Sequence, residues 1–310
     1  MAFVIAHRGA SYCAPENTRA AYRKAMELGA DGIETDIQLT ADGQLVMHHN
    51  YTLANGKAIC NMTLAELKQF DFGNGESIVT LAECLDAAKD MNIINLEMKA
   101  PIDRAIPFEK LVVDAVLESG LSSKIIISAF DHGLIRTVKT LCPELRVAAL
   151  TMPPMRGMTA LAKAVQSAMP QDVPLAQLSC SDMNLSALEP IFREMGMMAA
   201  NKEALMNEVI HSMVGMYPHS SMAEILETAE KQDDLFTYVT SLDFPLDYLH
   251  PDYHSLLADP TLVSRLAERG IGVSSYTPDK PEEWKALLGM GCYGIITNRP
   301  DLLMQLKSDR

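Results

Sequence analysis

The chain has 310 residues, 48% of them hydrophobic, which is enough for one large α/β domain or two smaller ones and is not the composition of a disordered chain. Lys plus Arg number 26 against 40 Asp plus Glu, a net charge of −14, and no Lys/Arg cluster occurs, so nucleic acid and anionic membrane surfaces are not expected as partners. An anionic substrate could still bind where local cations reverse the field, which makes each Lys or Arg near the acids informative.

The first residues, Met1 to Gly9, run straight into polar sequence, so neither a signal peptide nor a transmembrane span is expected and the cytoplasm is the expected compartment. Cys13, Cys60, Cys84, Cys142, Cys180 and Cys292 show no C-x-x-C spacing and read as reduced thiols, mostly buried. Phe3 to Ala6 is a short apolar strand that delivers His7-Arg8-Gly9. Pro15-Glu16-Asn17-Thr18 follows, with Asn17 or Thr18 as the candidate N-cap of a helix over 20–28 that Gly29 ends. The next strand, Gly32 to Thr40, alternates apolar and polar residues, so Glu34 and Asp36 project from one face. Two adjacent carboxylates repel, and a hard divalent cation with oxygen ligands is the natural third party. Taken alone, an E-x-D pair is more simply an exposed edge strand with two solvated acids.

Asp42-Gly43 is a two-residue hairpin signal. With those two residues as the loop, residue 41 pairs with 44, Asp36 stands opposite His49, and His48 faces away without a role. Thr63-Leu64-Ala65-Glu66 and Thr80-Leu81-Ala82-Glu83 are capping boxes that open helices. Ile93 to Lys99 reads as a buried strand with Glu97 and Lys99 on one face. Further strands are expected at 124–130, 146–150, 270–276 and 294–297. Strand and helix units repeating at this length favour a (β/α)8 TIM barrel over an open doubly wound sheet. No Gly-x-Gly-x-x-Gly and no P-loop is present, so no nucleotide site is supported. One domain over 1–310 is expected, interrupted by a helical insertion over 152–232. Twelve of the 20 methionines fall between Met152 and Met222, and such a soft, adaptable surface suits either a cap or a self-association interface.

His7-Arg8-Gly9, Pro15-Glu16-Asn17-Thr18, Glu34-Thr35-Asp36, Leu39-Thr40-Ala41-Asp42-Gly43, His49 and Glu97-Met98-Lys99 together resemble, in order and spacing, the glycerophosphodiester phosphodiesterase family. The resemblance is dense over residues 3 to about 100 and resumes at Ser128 to Asp131, at Tyr276-Thr277 and at Gly294 to Pro300. No counterpart is evident over 152–232. The resemblance implies a phospholipase C-like TIM barrel, one divalent cation (Mg or Ca) and hydrolysis of a small anionic phosphodiester to an alcohol and sn-glycerol 3-phosphate. It further implies Glu34, Asp36 and Glu97 as metal ligands, His7 and His49 as the acid-base pair, and Arg8, Lys99 and Tyr276 on the phosphate and substrate. The family's Asp is replaced at Asn50 and Asn298, and its Trp at Tyr276. Hydrolysis of another phosphodiester or a lysophospholipid, or a non-catalytic phosphate-binding barrel, stand as alternatives.

Overall fold

The structure, a computed structural model, describes residues 2–102, 105–153, 168, 170, 172–177 and 216–309. Eight parallel strands close into a barrel: β1 (Phe3–His7), β2 (Gly32–Leu39), β5 (Ile93–Met98), β6 (Ile125–Ala129), β7 (Arg146–Thr151), β8 (Tyr248–Pro251), β9 (Gly272–Ser275) and β10 (Gly294–Thr297). Closure comes from β1, which pairs with β10 on one side and β2 on the other. The short strands β3 (Leu45–Met47) and β4 (Val79–Thr80) extend the sheet antiparallel from the far end of β2.

β2 is buried along its whole length, as expected for a parallel strand with helices on one side and the barrel interior on the other. Its first residue must be glycine, because a Cβ there would collide with the Ile93 carbonyl. Inside, Ile5, Ile93, Ile126, Ala148 and Ile296 pack into a plug below the rim. Outside, the helices Arg19–Glu27, Leu81–Ala88, Phe108–Glu118 and His132–Leu141 and the C-terminal helices cover the sheet with one continuous core. The polar end of the interior therefore lies at the C-terminal strand ends.

Outside the insertion the expected strands and helices form with small shifts of their ends, and the expected capping boxes at Thr63 and Thr80 are made, as is a further one at Ser221. Strand β8 has no counterpart in the sequence reading. Tyr248-Leu249-His250-Pro251 is too short, and too polar at His250, to alternate visibly, yet His250 is completely buried.

The hairpin register differs by one residue from the expectation. Ile37 pairs with Met47, Gln38 with Val46 and Leu39 with Leu45, which sets Asp36 against His48. A two-residue type I′ turn needs positive φ at both central residues, and here Gly43 has it (+74°) while Asp42 does not. The Asp42 side chain instead accepts from the Thr40 hydroxyl at 2.6 Å and the Leu64 N–H at 3.0 Å. The loop is thus three residues long, closed by a Thr40 N–H to Gln44 carbonyl bond. Most of the expected helical insertion lies outside the described residues.

Candidate active site

β1, β2 and β5 run side by side, and their register places His7 beside Glu34 and Asp36 beside Glu97. Strand alternation turns all four side chains inward at the rim. Glu34, Asp36 and Glu97 are buried, and each offers an oxygen within 4.8 Å of the others. Burial and the neighbouring Asp36 and Glu97 charges push the Glu34 carboxyl well above the usual carboxylate range, and its buried Oε1 has no hydrogen-bond partner among the described residues. Asp36 goes the other way. Burial opposes its charge, but Lys99, His49 and Arg8 hold it well below the ordinary value.

Lys99 follows β5 directly. Its Nζ lies 3.0 Å from Asp36 Oδ1 and also contacts Glu97, so one buried ammonium bridges two of the acids. Arg8 stands across from it, with Nε 3.5 Å from Asp36 Oδ2 and Nη1 3.0 Å from Glu16. Arg8 and Gly9 have φ of 55° and 77°, a left-handed turn that aims the Arg8 N–H at Glu34 Oε2 at 3.0 Å. A side chain in that region costs roughly 1 to 3 kcal/mol and is tolerated where the surroundings enforce it. Asn17 is also left-handed (56°), and it is a site residue that the sequence reading treated only as a cap. Thr18 does the capping; Asn17 is buried, donates to Asp36 Oδ2 at 2.9 Å and accepts from the Asp36 N–H at 3.3 Å. Its place in the Pro15-Glu16-Asn17-Thr18 motif was the available signal; the positive φ that aims it at Asp36 is seen only in the structure.

His7 sits with Nδ1 2.6 Å from Asn298 Oδ1 and Nε2 3.8 Å from Glu34 Oε2. Burial, helped by the Arg8 charge, lowers its pKa to about 4. His49 reaches the same space despite the shifted register. β3 ends at Met47, the chain bends, and Gln38 Nε2 donates to the carbonyls of His48 and Asn50, each at 2.7 Å. That clamp on both sides of residue 49 turns its ring inward, while His48 packs edge-on against Phe72. Asn50 Oδ1 lies 2.8 Å from His49 Nδ1, and burial together with Lys99 lowers the His49 pKa to about 3.

These groups line one wall of a cavity of about 330 Å³. Phe130, Leu150, Tyr276 and Ile296 form the opposite wall, joined by Pro153 and Met216 from the two described ends of the insertion. Phe130 meets Tyr276 and Tyr217 edge-on, with ring centroids at 6.0 and 6.4 Å. Tyr276 spends its hydroxyl on the Thr151 carbonyl at 2.6 Å, so it turns its ring, not its oxygen, to the cavity. The structure thus gathers all eight residues singled out from the sequence, Asp36 lying behind the cavity wall.

A family model described as "Glycerophosphoryl diester phosphodiesterase family" matches residues 7–189 and 208–302. The chain belongs to this family. The match enters the insertion from both sides, so the expectation that 152–232 has no counterpart is corrected to a shorter unmatched stretch, 190–207. A glycerophosphodiester phosphodiesterase of Caldanaerobacter subterraneus is 42% identical over 159 residues, which span 47% of this chain and 65% of that relative. One of Bacillus altitudinis is 33% identical over 49% of this chain and 67% of its own length. Among solved structures, a glycerophosphodiester phosphodiesterase from Parabacteroides distasonis aligns with a TM-score of 0.64 at 22% identity, over 99% of this chain and 98% of that one. An Oleispira antarctica phosphodiesterase in complex with the product sn-glycerol-3-phosphate aligns with a TM-score of 0.61 at 22% identity, over 99% and 96%. At such identities the solved structures establish the shared barrel. Among the described residues no helix is long and apolar enough to cross a membrane.

Proposed function

We propose that the chain hydrolyses small glycerophosphodiesters to an alcohol and sn-glycerol 3-phosphate. One observation carries the reading: three buried carboxylates within 4.8 Å of one another, faced by two imidazoles and two cations at the C-terminal rim of the barrel. Glu34, Asp36 and Glu97 would hold a divalent cation. The partnerless Glu34 Oε1 and the mutual repulsion of the three acids fit such an ion, and an all-carboxylate set suits Mg or Ca. When bound, the cation supplies charge stabilisation to the phosphoryl oxygens.

Arg8 and Lys99 would bind the remaining phosphoryl oxygens. An anionic diester offsets these same two charges, which help keep His7 and His49 neutral, so substrate binding moves both imidazoles toward the proton-carrying form. Attack on phosphorus releases a proton to one imidazole while the other protonates the departing alkoxide; attack by water gives sn-glycerol 3-phosphate directly, whereas attack by the adjacent glycerol hydroxyl gives a cyclic phosphate that water must open in a second step, with the imidazole roles exchanged. The apolar wall would receive the alcohol. The insertion, whose ends Pro153 and Met216 stand at that wall, would act as a cap that limits head-group size. The free thiols Cys13, Cys84, Cys142 and Cys292 fit a reducing cytoplasmic setting.

The test is release of sn-glycerol 3-phosphate from glycerophosphocholine and glycerophosphoethanolamine, with and without EDTA, on the intact protein and on one whose residues 154–215 are replaced by a Gly-Ser linker. Product that disappears with EDTA and returns with Mg or Ca supports the reading; no product under any metal sinks it. A shortened protein that keeps its head-group preference but changes its mass in solution makes the insertion an interface rather than a cap.

A further inference from the structure

An amide can present either its oxygen or its NH2 to an imidazole, so Asn298 beside His7 does not by itself say where the histidine proton sits. The surroundings decide it. Asp279, just before the helix Pro281–Met290, accepts from the Thr297 hydroxyl at 2.7 Å and the Asn298 N–H at 2.9 Å through Oδ1. Its Oδ2 lies 2.7 Å from the Asn298 side-chain nitrogen. An ionised carboxylate only accepts, so the Asn298 atom facing it must be the NH2 and the other end must be the carbonyl oxygen. That oxygen takes the Ser11 hydroxyl at 3.2 Å and lies 2.6 Å from His7 Nδ1. It has no hydrogen to give, so His7 carries its proton on Nδ1 and leaves Nε2 bare toward the carboxylates.

We propose that Asp279, acting through Asn298, is a positioning residue that fixes the tautomer of His7. The inference rests on the reading of His7 as one of the acid-base pair. The chain Asp279–Asn298–His7 keeps the orienting negative charge one residue back from the imidazole, where it aligns the ring without pairing with it directly. The basic nitrogen is then presented to the reacting groups in every molecule rather than in a fraction of them.

Asp279→Asn puts an NH2 against the NH2 of Asn298. Two donors cannot share that contact, so Asn298 turns over and offers its NH2 to His7 Nδ1, and the imidazole proton moves to Nε2. The expected result is a fall in kcat of about 10² to 10⁴ with KM changed by less than about threefold, as for a positioned base presented in the wrong tautomer. Nitrogen-15 shifts of His7 should change from the Nδ1–H to the Nε2–H pattern. The double variant Asp279→Asn/Asn298→Asp restores a complementary pair, since the new amide can donate to the new carboxylate, whose other oxygen again accepts from Nδ1–H. It should recover the Nδ1–H pattern and bring kcat to within about tenfold of the parent, a rescue that a purely structural role would not produce.

If Asp279→Asn keeps the Nδ1–H pattern, or if the folded double variant shows Nε2–H, the proposal is overturned. Should the single variant fail to melt cooperatively, the tautomer in the double variant alone decides. A tautomer that switches as stated while kcat stays unchanged upholds the positioning and removes His7 from the chemistry, which separates failure of this inference from failure of the functional reading.

Discussion

The two walls of the cavity differ in origin and in energetics. The charged wall, from His7 and Arg8 to Glu34, Glu97 and Lys99, is built by three adjacent strands and their ends within the first 100 residues, with His49 added by the bend after β3. The apolar wall is assembled from β6, β7, β9 and β10 or their ends and from the two described ends of the insertion, residues scattered from Phe130 to Ile296. On the first wall the buried acids and Lys99 and the half-buried Arg8 are held against opposite or like charges, so removing one leaves another unpaired. On the second the contacts are dispersive and each is small. Function should therefore be brittle on one side and tolerant on the other.

The largest break is expected at the carboxylates. Glu34→Gln or Glu97→Gln removes one negative charge from the proposed ligand set and should lower metal affinity and kcat/KM together, the latter by on the order of 10³ or more. Calorimetric metal titration beside steady-state kinetics reads both. Full activity in either variant would take the cation out of the mechanism.

Next come the neighbouring histidines, which share a sequence position to within one residue and almost nothing else. His49→Ala should cost about 10² to 10⁴ in kcat, whereas His48→Ala should cost less than about tenfold, because its ring packs on Phe72 away from the cavity. The reverse order would show that the bend held by Gln38 is not the arrangement that works.

The smallest effect is on stability, and it sits in the barrel interior at His250. Both ring nitrogens are buried without hydrogen-bond partners among the described residues, and burial lowers the pKa to about 3. The unfolded chain takes up this proton near pH 6.5 and the native state does not, so the contribution is complete above about pH 6.5 and is lost as pH falls from there toward 3, by at most about 1.4 kcal/mol per pH unit. Urea midpoints between pH 7 and 4.5 should show a shallower acid decline in His250→Leu than in the parent. Equal slopes would mean that His250 finds a proton acceptor in the native protein.

Much of this was legible in the chain because the information is local. Alternation in Gly32 to Thr40 put Glu34 and Asp36 on one face, capping boxes opened their helices, and repeated strand and helix units implied the barrel, since short-range sterics and hydrogen bonding set these features residue by residue. The ordered motifs named the three acids and both histidines that the fold brings together. Tertiary structure decided the rest. Strand β8 exists because β7 and β9 leave a gap that four residues can fill, and Tyr248 to Pro251 show no pattern of their own. The hairpin register turned on whether Asp42 would adopt positive φ, which its bonds to Thr40 and Leu64 prevent, and His49 still reached the site only because Gln38 captures the carbonyls on either side of it. Asn298 looked like a lost charge in the sequence; in the fold, Asp279 lies 2.7 Å behind it. Residues 19 positions apart in the chain become one hydrogen-bonded unit when β10 closes the barrel, and no local propensity encodes that contact.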